Sequence, residues 1–94
     1  MKIYSAREII KKAYGSSKNF VTPHVISYGK INKTMAYEFS WGSHMFGGSG
    51  NMYGVSVAKL IKGGKAIKSI DDSKSFHRKS EAKNYIAYLK NKYN

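Results

Sequence analysis

The spacing of apolar residues near the start of the chain predicts an amphipathic helix. Ser5 and Glu8 stand three residues apart, the capping-box spacing that satisfies backbone donors at a helix start. Gly15 is typical of the residue after a helix end. Charged side chains fall on the opposite side of the predicted helix from the apolar stripe, which consists of Ala6, Ile9, Ile10, Ala13 and Tyr14. We therefore expect a first helix between Ser5 and Gly15.

The next part of the chain carries the patterns of β-strands. A connector over residues 16–23 ends in Thr22-Pro23, and the segment from His24 to Ile31 is rich in β-prone residues. Apolar and smaller or polar positions then alternate with period two. This alternation predicts a half-buried strand. Its inner face is Met35, Tyr37, Phe39 and Trp41, and its solvent side is Ala36, Glu38 and Ser40.

The second half of the chain predicts a loop, a hairpin and a helix. The segment Gly42 to Gly54 holds five glycines without periodicity and is expected to be a flexible loop. Tyr53 to Lys62 reads as a strand, Gly63-Gly64 as a two-residue hairpin turn and Lys65 to Ile70 as the partner strand. Asp71-Asp72 predicts a turn. A last helix is expected from Lys79 to Lys92, and its apolar stripe is Ala82, Tyr85, Ile86, Leu89 and Tyr93.

The element order α-β-β-β-β-α predicts an α+β fold. We expect an antiparallel four-stranded sheet with an N-terminal and a C-terminal helix, both covering one face of the sheet. The 94 residues allow one small basic domain, 1–94. Leu, Ile, Val and Phe number only 19, so eight tyrosines and Trp41 must supply much of the core. The sequence therefore predicts a folded domain of modest stability.

The charge of the chain points to an anionic partner. Seventeen Lys and Arg residues against five Asp and Glu give a net charge of +12, and fifteen of the seventeen are lysines. Such a chain attracts DNA, RNA or an acidic protein face. With only Arg7 and Arg78, it has few side chains for reading bases, so attraction to the phosphate backbone is expected. The Lys, Ile, Asn and Tyr bias is typical of an AT-rich bacterium or its phage.

Several chemistries are disfavoured by the residues present. The chain has no cysteine, which excludes disulfides, thiol catalysis and zinc sites that use sulfur. His24, His44 and His77 lack metal-ligand spacing, and the five carboxylates suggest no acid–base pair, so no metal or other cofactor is expected. No small-molecule substrate is evident. The first residues lack an apolar leader and no run is long enough to span a membrane, which predicts a cytoplasmic protein.

The predicted hairpin brings lysines together. If Gly63-Gly64 is the whole turn, Lys62 lies opposite Lys65, and Lys59 lies opposite Lys68. Like charges directly opposed on a sheet are destabilising, and contact with a phosphate backbone would relieve that repulsion. The alternative is that these lysines simply extend into water.

The glycine-rich loop is a second candidate binding element. It carries aromatic residues and methionines that soluble proteins seldom leave uncovered. Either the loop moulds to a partner, or Met45 and Phe46 fold back onto the core. The residues expected to bind nucleic acid or another partner are Lys59, Lys62, Lys65, Lys68, Trp41, His44, Met45, Phe46, Asn51, Tyr53, Arg78 and Lys79.

Two short stretches resemble known families. Gly42-Ser43-His44 after a strand resembles the G-S-H of HicA-type toxin mRNA interferases, which implies a helix–sheet–helix fold and a catalytic His44. The chain lacks the later Pro-x-His of that family. Residues 53–89 resemble the AP2 and integrase arm-type DNA-binding domains, with three strands, Phe76 and a helix. That resemblance implies a sheet lying in the major groove and would place the hairpin lysines near DNA.

The sequence favours a non-enzymatic binding protein of a phage or mobile element, which contacts nucleic acid or a nucleoprotein through a basic sheet and loop surface. A second hypothesis is a phage-encoded inhibitor of a host defence nuclease, similar to anti-CRISPR proteins, which acts by protein–protein binding on an acidic face or on guide RNA. A third is a small metal-independent ribonuclease that uses His44.

Overall fold

The computed structural model of the chain describes residues 4–15, 24–43 and 51–93. Its elements confirm the α+β class and the predicted order, with one additional short strand. A single 3₁₀ turn, Ile70–Asp72, separates the last two strands. The elements are α1 (Ala6–Tyr14), β1 (His24–Lys30), β2 (Met35–Ser43), β3 (Asn51–Leu60), β4 (Ala66–Lys68), β5 (Lys74–Phe76) and α2 (Lys79–Lys92).

The first helix begins and ends where the sequence predicts. The Glu8 amide donates to Ser5 Oγ at 3.2 Å, and the Ser5 amide donates to Glu8 Oε1 at 3.1 Å, so both halves of the capping box are present. Gly15 follows the helix with a φ of 47°. The helix packs on the sheet through Ile9 and Ile10, which are fully buried.

All strand pairs in the sheet are antiparallel. The strands β1, β2 and β3 lie side by side in sequence order, and both β4 and β5 pair with β3 along its other edge. Between those two short strands, the Val57 amide of β3 donates to Ser73 Oγ at 2.9 Å, and the Ser69 amide donates to the Val57 carbonyl at 2.8 Å. The Ser73 side chain and the Ser69 amide thus satisfy the backbone amide and carbonyl of Val57, where regular strand pairing is interrupted.

The two helices lie on opposite faces of the sheet, so the prediction that helices cover only one face is wrong. On one face, Ile9 and Ile10 of α1 pack against Ala36 and Ala58 of the sheet. On the other face, three residues of α2, Ala82, Ile86 and Leu89, form a core cluster with Ile31, Met35, Tyr37, Phe39, Val55 and Val57. Because successive side chains of a strand point to opposite faces, Ala36 and Ala58 belong to the α1 face, whereas Met35 and Val57 belong to the α2 face.

The predicted solvent side of β2 is also wrong. Ala36, Glu38 and Ser40 lie on the α1 face, and they are 0%, 2% and 0% exposed. The alternation in this strand correctly separates two faces, but both faces are buried. Small side chains at Ala36 and Ala58 allow α1 to pack closely against the sheet.

The predicted loop Gly42–Gly54 is shorter than expected. Strand β2 continues to Ser43 and β3 begins at Asn51, so Gly42, Ser43 and the segment Asn51–Gly54 are strand residues. The Met52 side chain is 6% exposed. Residues 44–50, which include much of the predicted loop, lie outside the described residues.

The hairpin between β3 and β4 is present, but its turn is one residue longer than predicted. Gly63 and Gly64 have φ values of 89° and 78°, a backbone conformation that L side chains rarely adopt. The Ile61 amide donates to the Lys65 carbonyl at 2.8 Å, so the turn between these two residues consists of Lys62, Gly63 and Gly64. In the described ranges, no helix has the length and apolar character needed to cross a membrane.

Candidate nucleic-acid interface

The positive charge of the described residues is poorly compensated. Glu38 and Asp72 are buried, and Glu8 caps α1, which leaves few carboxylates near the exposed lysines. Between described residues the structure has one ion pair, in which Lys92 Nζ lies 4.0 Å from Asp72 Oδ1. The domain therefore presents a surface that attracts anions.

The path of α2 leaves two corners of its sheet face uncovered. The helix starts directly after β5, and the Tyr93 carbonyl just beyond its end accepts a hydrogen bond from Asn32 Nδ2 at 3.0 Å. It thus runs from the β5 edge toward the turn between β1 and β2. One of the corners that α2 does not reach includes Trp41 and the other includes Ile67, which are 38% and 48% exposed.

The first of these corners is a row of aromatic side chains. Trp41 of β2 lies opposite Tyr53 of β3, and Tyr53 lies opposite Phe76 of β5. Directly opposed residues point to the same side of a sheet, so the three rings share the α2 face at strand spacings of about 4.8 Å. We call Trp41, Tyr53 and Phe76 the aromatic corner.

Cations and a helix start lie beside the β5 end of this row. Lys74, His77, Arg78 and Lys79 are all exposed and lie within the six residues 74–79 that include Phe76. Arg78 is the N-cap residue of α2, and no side chain caps the first turn. The backbone amides of this turn, together with the positive end of the helix dipole, favour an anion at this place.

Contacts with α2 hold Phe76 in position. The rings of Phe76 and Tyr85 are 5.4 Å apart between centroids, and the Tyr85 and Tyr88 rings stack at 5.8 Å. The Tyr85 hydroxyl donates to the Asp72 carbonyl at 2.6 Å. Lys74 Nζ lies 5.2 Å from the centroid of the Tyr85 ring, within the range of a cation–π contact. The β5 end of the row is therefore fixed by packing rather than free to rotate.

Asp72 links the 3₁₀ turn to the end of α2. Its carboxylate accepts hydrogen bonds from Ser69 Oγ at 2.6 Å and from the Tyr93 hydroxyl at 2.7 Å. The hydrogen bond to Asp72, together with partial desolvation, raises the pKa of Tyr93. Burial and the nearby Asp72 charge also raise the pKa of Tyr85. Both tyrosines are thus neutral donors at physiological pH, and this carboxylate has a structural role.

The second corner is one face of the hairpin. Lys59 lies opposite Ile67, and Ile61 lies opposite Lys65. By strand alternation all four residues lie on the α2 face of the sheet. The two lysines are exposed, and the other two residues are aliphatic. We call Lys59, Ile61, Lys65 and Ile67 the hairpin corner. Along β3 it is about 20 Å from Tyr53, at roughly 3.3 Å per residue.

The predicted pairing of the hairpin lysines is wrong. Because the turn has three residues instead of two, Lys59 faces Ile67 and Lys68 faces Ala58, so neither Lys59–Lys68 nor Lys62–Lys65 is a cross-strand pair. A shift of one residue also moves Lys68 to the other face. There its Nζ lies 5.4 Å from the centroid of the Tyr14 ring of α1. The register thus removes the repulsion that the sequence suggested.

The structure divides the predicted binding residues into separate groups. Trp41 and Tyr53 lie in the aromatic corner, with Arg78 and Lys79 at its β5 end. Lys59 and Lys65 belong to the hairpin corner, Lys62 is exposed in the turn, and Lys68 lies on the opposite face. Asn51 begins β3 opposite Ser43. His44, Met45 and Phe46 lie outside the described residues, so their role stays a prediction.

Three residues of the two corners were not predicted to bind a partner. Phe76 belongs to the aromatic corner, and the hint in the sequence is its place in the basic segment 74–79. Ile61 and Ile67 have no such signal, because an isoleucine in a strand is normally a core residue. Their exposure follows from the path of α2, which the sequence does not reveal.

The His, Asp and Glu side chains in the part of the chain that the structure describes form no group of three or more that could hold a metal ion. Glu38 is buried on the α1 face, directly opposite Ser56 of β3. Ser40 Oγ, two residues further along β2, is buried and has no hydrogen-bond partner among the described residues.

Comparisons with known proteins do not identify a relative. No protein-family model, no curated protein and no solved structure matches the chain. The resemblances to HicA-type, AP2 and integrase arm-type proteins therefore stay predictions.

Proposed function

We propose that this protein binds single-stranded nucleic acid at the aromatic corner and has no catalytic role in doing so. The observation that carries the proposal is the cross-strand row of Trp41, Tyr53 and Phe76 on one face of the sheet. Rings placed on a sheet at strand spacing are a platform on which successive unpaired bases stack.

Phosphate groups would be held beside this row. Arg78, Lys79 and Lys74 are exposed next to Phe76, and the first turn of α2 offers amides without a side-chain cap. A strand with its bases on the rings would carry its backbone past these donors. Because lysines outnumber arginines and stacking tolerates any base, binding is expected to depend little on sequence.

Stacking favours a single strand over a duplex. In a duplex the faces of the bases are covered by their neighbours, and the base edges are read by hydrogen bonds in the grooves. In the aromatic corner Trp41 is exposed and Tyr53 and Phe76 are half-buried, and only Trp41 and Tyr53 carry side-chain polar atoms. Duplex DNA is therefore expected to bind through general charge attraction alone and more weakly.

A matched pair of substitutions at one position tests the proposal. Labelled single strands of about 12 nucleotides, within the site sizes of known stacking proteins, are titrated and followed by fluorescence anisotropy. Trp41→Phe keeps a ring and should bind almost as wild type. Trp41→Leu keeps apolar area without a ring and should weaken binding roughly 5- to 150-fold, the equivalent of one stacked base. Equal affinities of the two variants would contradict the proposal.

The other functional hypotheses stand as follows. Ribonuclease activity would rest on His44, outside the described residues, so that idea is tested by RNA cleavage before and after His44→Ala. A phage or mobile-element origin and an inhibitor role against a host nuclease remain hypotheses. A protein-directed role is supported by a separate feature of the structure, the hairpin corner.

A further inference from the structure

The hairpin corner exposes aliphatic side chains that a solvated sheet face does not need. Ile61 and Ile67 are 39% and 48% exposed. Ile61 directly follows β3 and Ile67 lies in β4, and the two are diagonal neighbours across the hairpin, close enough for a single partner side chain to contact both. Each isoleucine has a lysine opposite it on the neighbouring strand. The corner is thus a small apolar patch with a positive charge on two sides.

Charge defines which partner fits this corner. Lys59, Lys62 and Lys65 are exposed, and no described carboxylate forms an ion pair with them. A second copy of the chain would set lysines against lysines across the contact. The uncompensated positive charge therefore favours a partner with carboxylates or phosphates.

The two isoleucines indicate which of these anionic partners fits the hairpin corner better. Aliphatic side chains neither stack with bases nor hydrogen-bond to phosphates, so a nucleic acid would contact the lysines and gain little from Ile61 and Ile67. An acidic protein segment with apolar side chains would use both, because its carboxylates can reach the lysines while its apolar groups cover the isoleucines. We propose that the hairpin corner binds an acidic, partly apolar segment of a partner protein.

This interaction is independent of the aromatic corner. The two corners are separated by about 20 Å along β3, and no residue belongs to both. A protein that binds single-stranded nucleic acid at one corner and an acidic protein segment at the other would join the two. Either activity can be lost without the other, so each proposal fails or survives by its own test.

The test uses the full chain and two short synthetic peptides of equal negative charge. One peptide alternates Asp and Glu with Leu and Ile, and the other has Ser in place of the Leu and Ile. Three double variants are compared with wild type, after circular dichroism shows that each is folded. The charge variant is Lys59→Glu with Lys65→Glu, the apolar variant is Ile61→Ser with Ile67→Ser, and the control is Lys11→Glu with Lys33→Glu.

The proposal predicts that the apolar acidic peptide binds wild type more tightly than the serine peptide. The charge variant and the apolar variant should each lose about tenfold or more in affinity, whereas the control should change by less than about threefold, since screened distant charges act weakly. Binding of single-stranded oligonucleotide to the apolar variant should stay as in wild type.

Three results would overturn the proposal. Failure of the apolar acidic peptide to bind wild type would show that the hairpin corner does not recognise the proposed class of partner. Equal binding of both peptides, or unchanged binding to the apolar variant, would mean that the corner attracts any polyanion. A parallel loss of oligonucleotide binding in the charge and apolar variants, but not in the control, would make the corner a nucleic-acid surface instead.

Discussion

Gly29 of β1 lies directly opposite Tyr37 of β2, and the Tyr37 ring extends across to cover the glycine. A Cβ atom placed on Gly29 would overlap the hydroxyl end of that ring. Tyr37 is only 9% exposed, and Lys90 Nζ of α2 lies 5.7 Å from the centroid of its ring. The missing side chain at Gly29 therefore gives Tyr37 the room to pack between the sheet and α2.

The substitution Gly29→Ala should destabilise the fold by about 1–3 kcal/mol, the usual cost of overpacking. An alanine at an ordinary strand position would instead stabilise by reducing the entropy of the unfolded chain. The measurement is thermal unfolding, where each kcal/mol corresponds to roughly 4–8 °C for a domain of this size.

A double variant checks that Tyr37 is the cause. In Gly29→Ala with Tyr37→Val, the ring is absent and the added methyl group meets no obstacle. The two destabilisations should then sum to clearly more than the loss in the double variant. Strict additivity, or an unchanged melting temperature in Gly29→Ala alone, would contradict this explanation.

Tyr14 connects the end of α1 to the interrupted edge of the sheet. Its hydroxyl donates to the Val57 carbonyl at 2.8 Å and lies 3.2 Å from Ser73 Oγ. Burial raises the pKa of Tyr14, and the hydrogen bonds with Ser73 and Val57 offset this only in part. The folded chain thus holds the Tyr14 proton more tightly than the unfolded chain does.

Tyr14→Phe should cost roughly 1 kcal/mol near neutral pH, the net value of one hydrogen bond. Below pH about 10 both states keep the proton, so the difference in unfolding free energy between wild type and variant is constant. Above that pH the unfolded chain releases the proton first, which favours unfolding of the wild type. Denaturant unfolding at several alkaline pH values should show the difference shrinking.

Comparison with the variant cancels the titration of the many lysines, which both proteins share. A free-energy difference that stays constant, or grows, as the pH rises through the tyrosine range would show that Tyr14 does not hold its proton more tightly in the folded state.

Much of the fold is predictable because local rules decide it. The Ser5–Glu8 capping box, the alternation in β2 and the two glycines of the hairpin each define an element by its own chemistry. The apolar stripe of α2 likewise gives the residues that it buries, Ala82, Ile86 and Leu89 among them. These features do not depend on distant parts of the chain.

The errors concern features that depend on tertiary packing. Whether Glu38 faces water depends on what lies over the α1 face, and the alternation pattern only separates the two faces of the strand. The hairpin register differs by one residue because Lys62 joins the turn. Such a shift changes every cross-strand pair, which is why the predicted lysine pairs are wrong although the hairpin does turn at the two glycines.

The positive charges beside the aromatic corner should contribute more to oligonucleotide binding than positive charges elsewhere on the surface. Arg78→Glu with Lys79→Glu, and the control Lys11→Glu with Lys33→Glu, change the net charge equally. If two phosphate contacts are lost, the slope of log affinity against log salt should become less negative by about 1.4 for a single strand. The test is oligonucleotide affinity between about 50 and 200 mM salt.

The control variant should keep a slope close to that of wild type. A negative charge at the start of α2 interacts favourably with the helix dipole, so the variant with Glu at positions 78 and 79 is expected to stay folded. If both double variants flatten the salt dependence to the same extent, the cations act through net charge, and the position of Arg78 and Lys79 has no special role.

Trp41 is the one tryptophan of the chain, and it reports directly on the aromatic corner. Its fluorescence is followed during titration with a single-stranded oligonucleotide and with a duplex of the same length. Stacking of a base on the indole ring should quench the emission strongly with the single strand and weakly with the duplex. Unchanged emission at oligonucleotide concentrations that saturate binding would show that the strand binds elsewhere and that the aromatic corner is not the binding site.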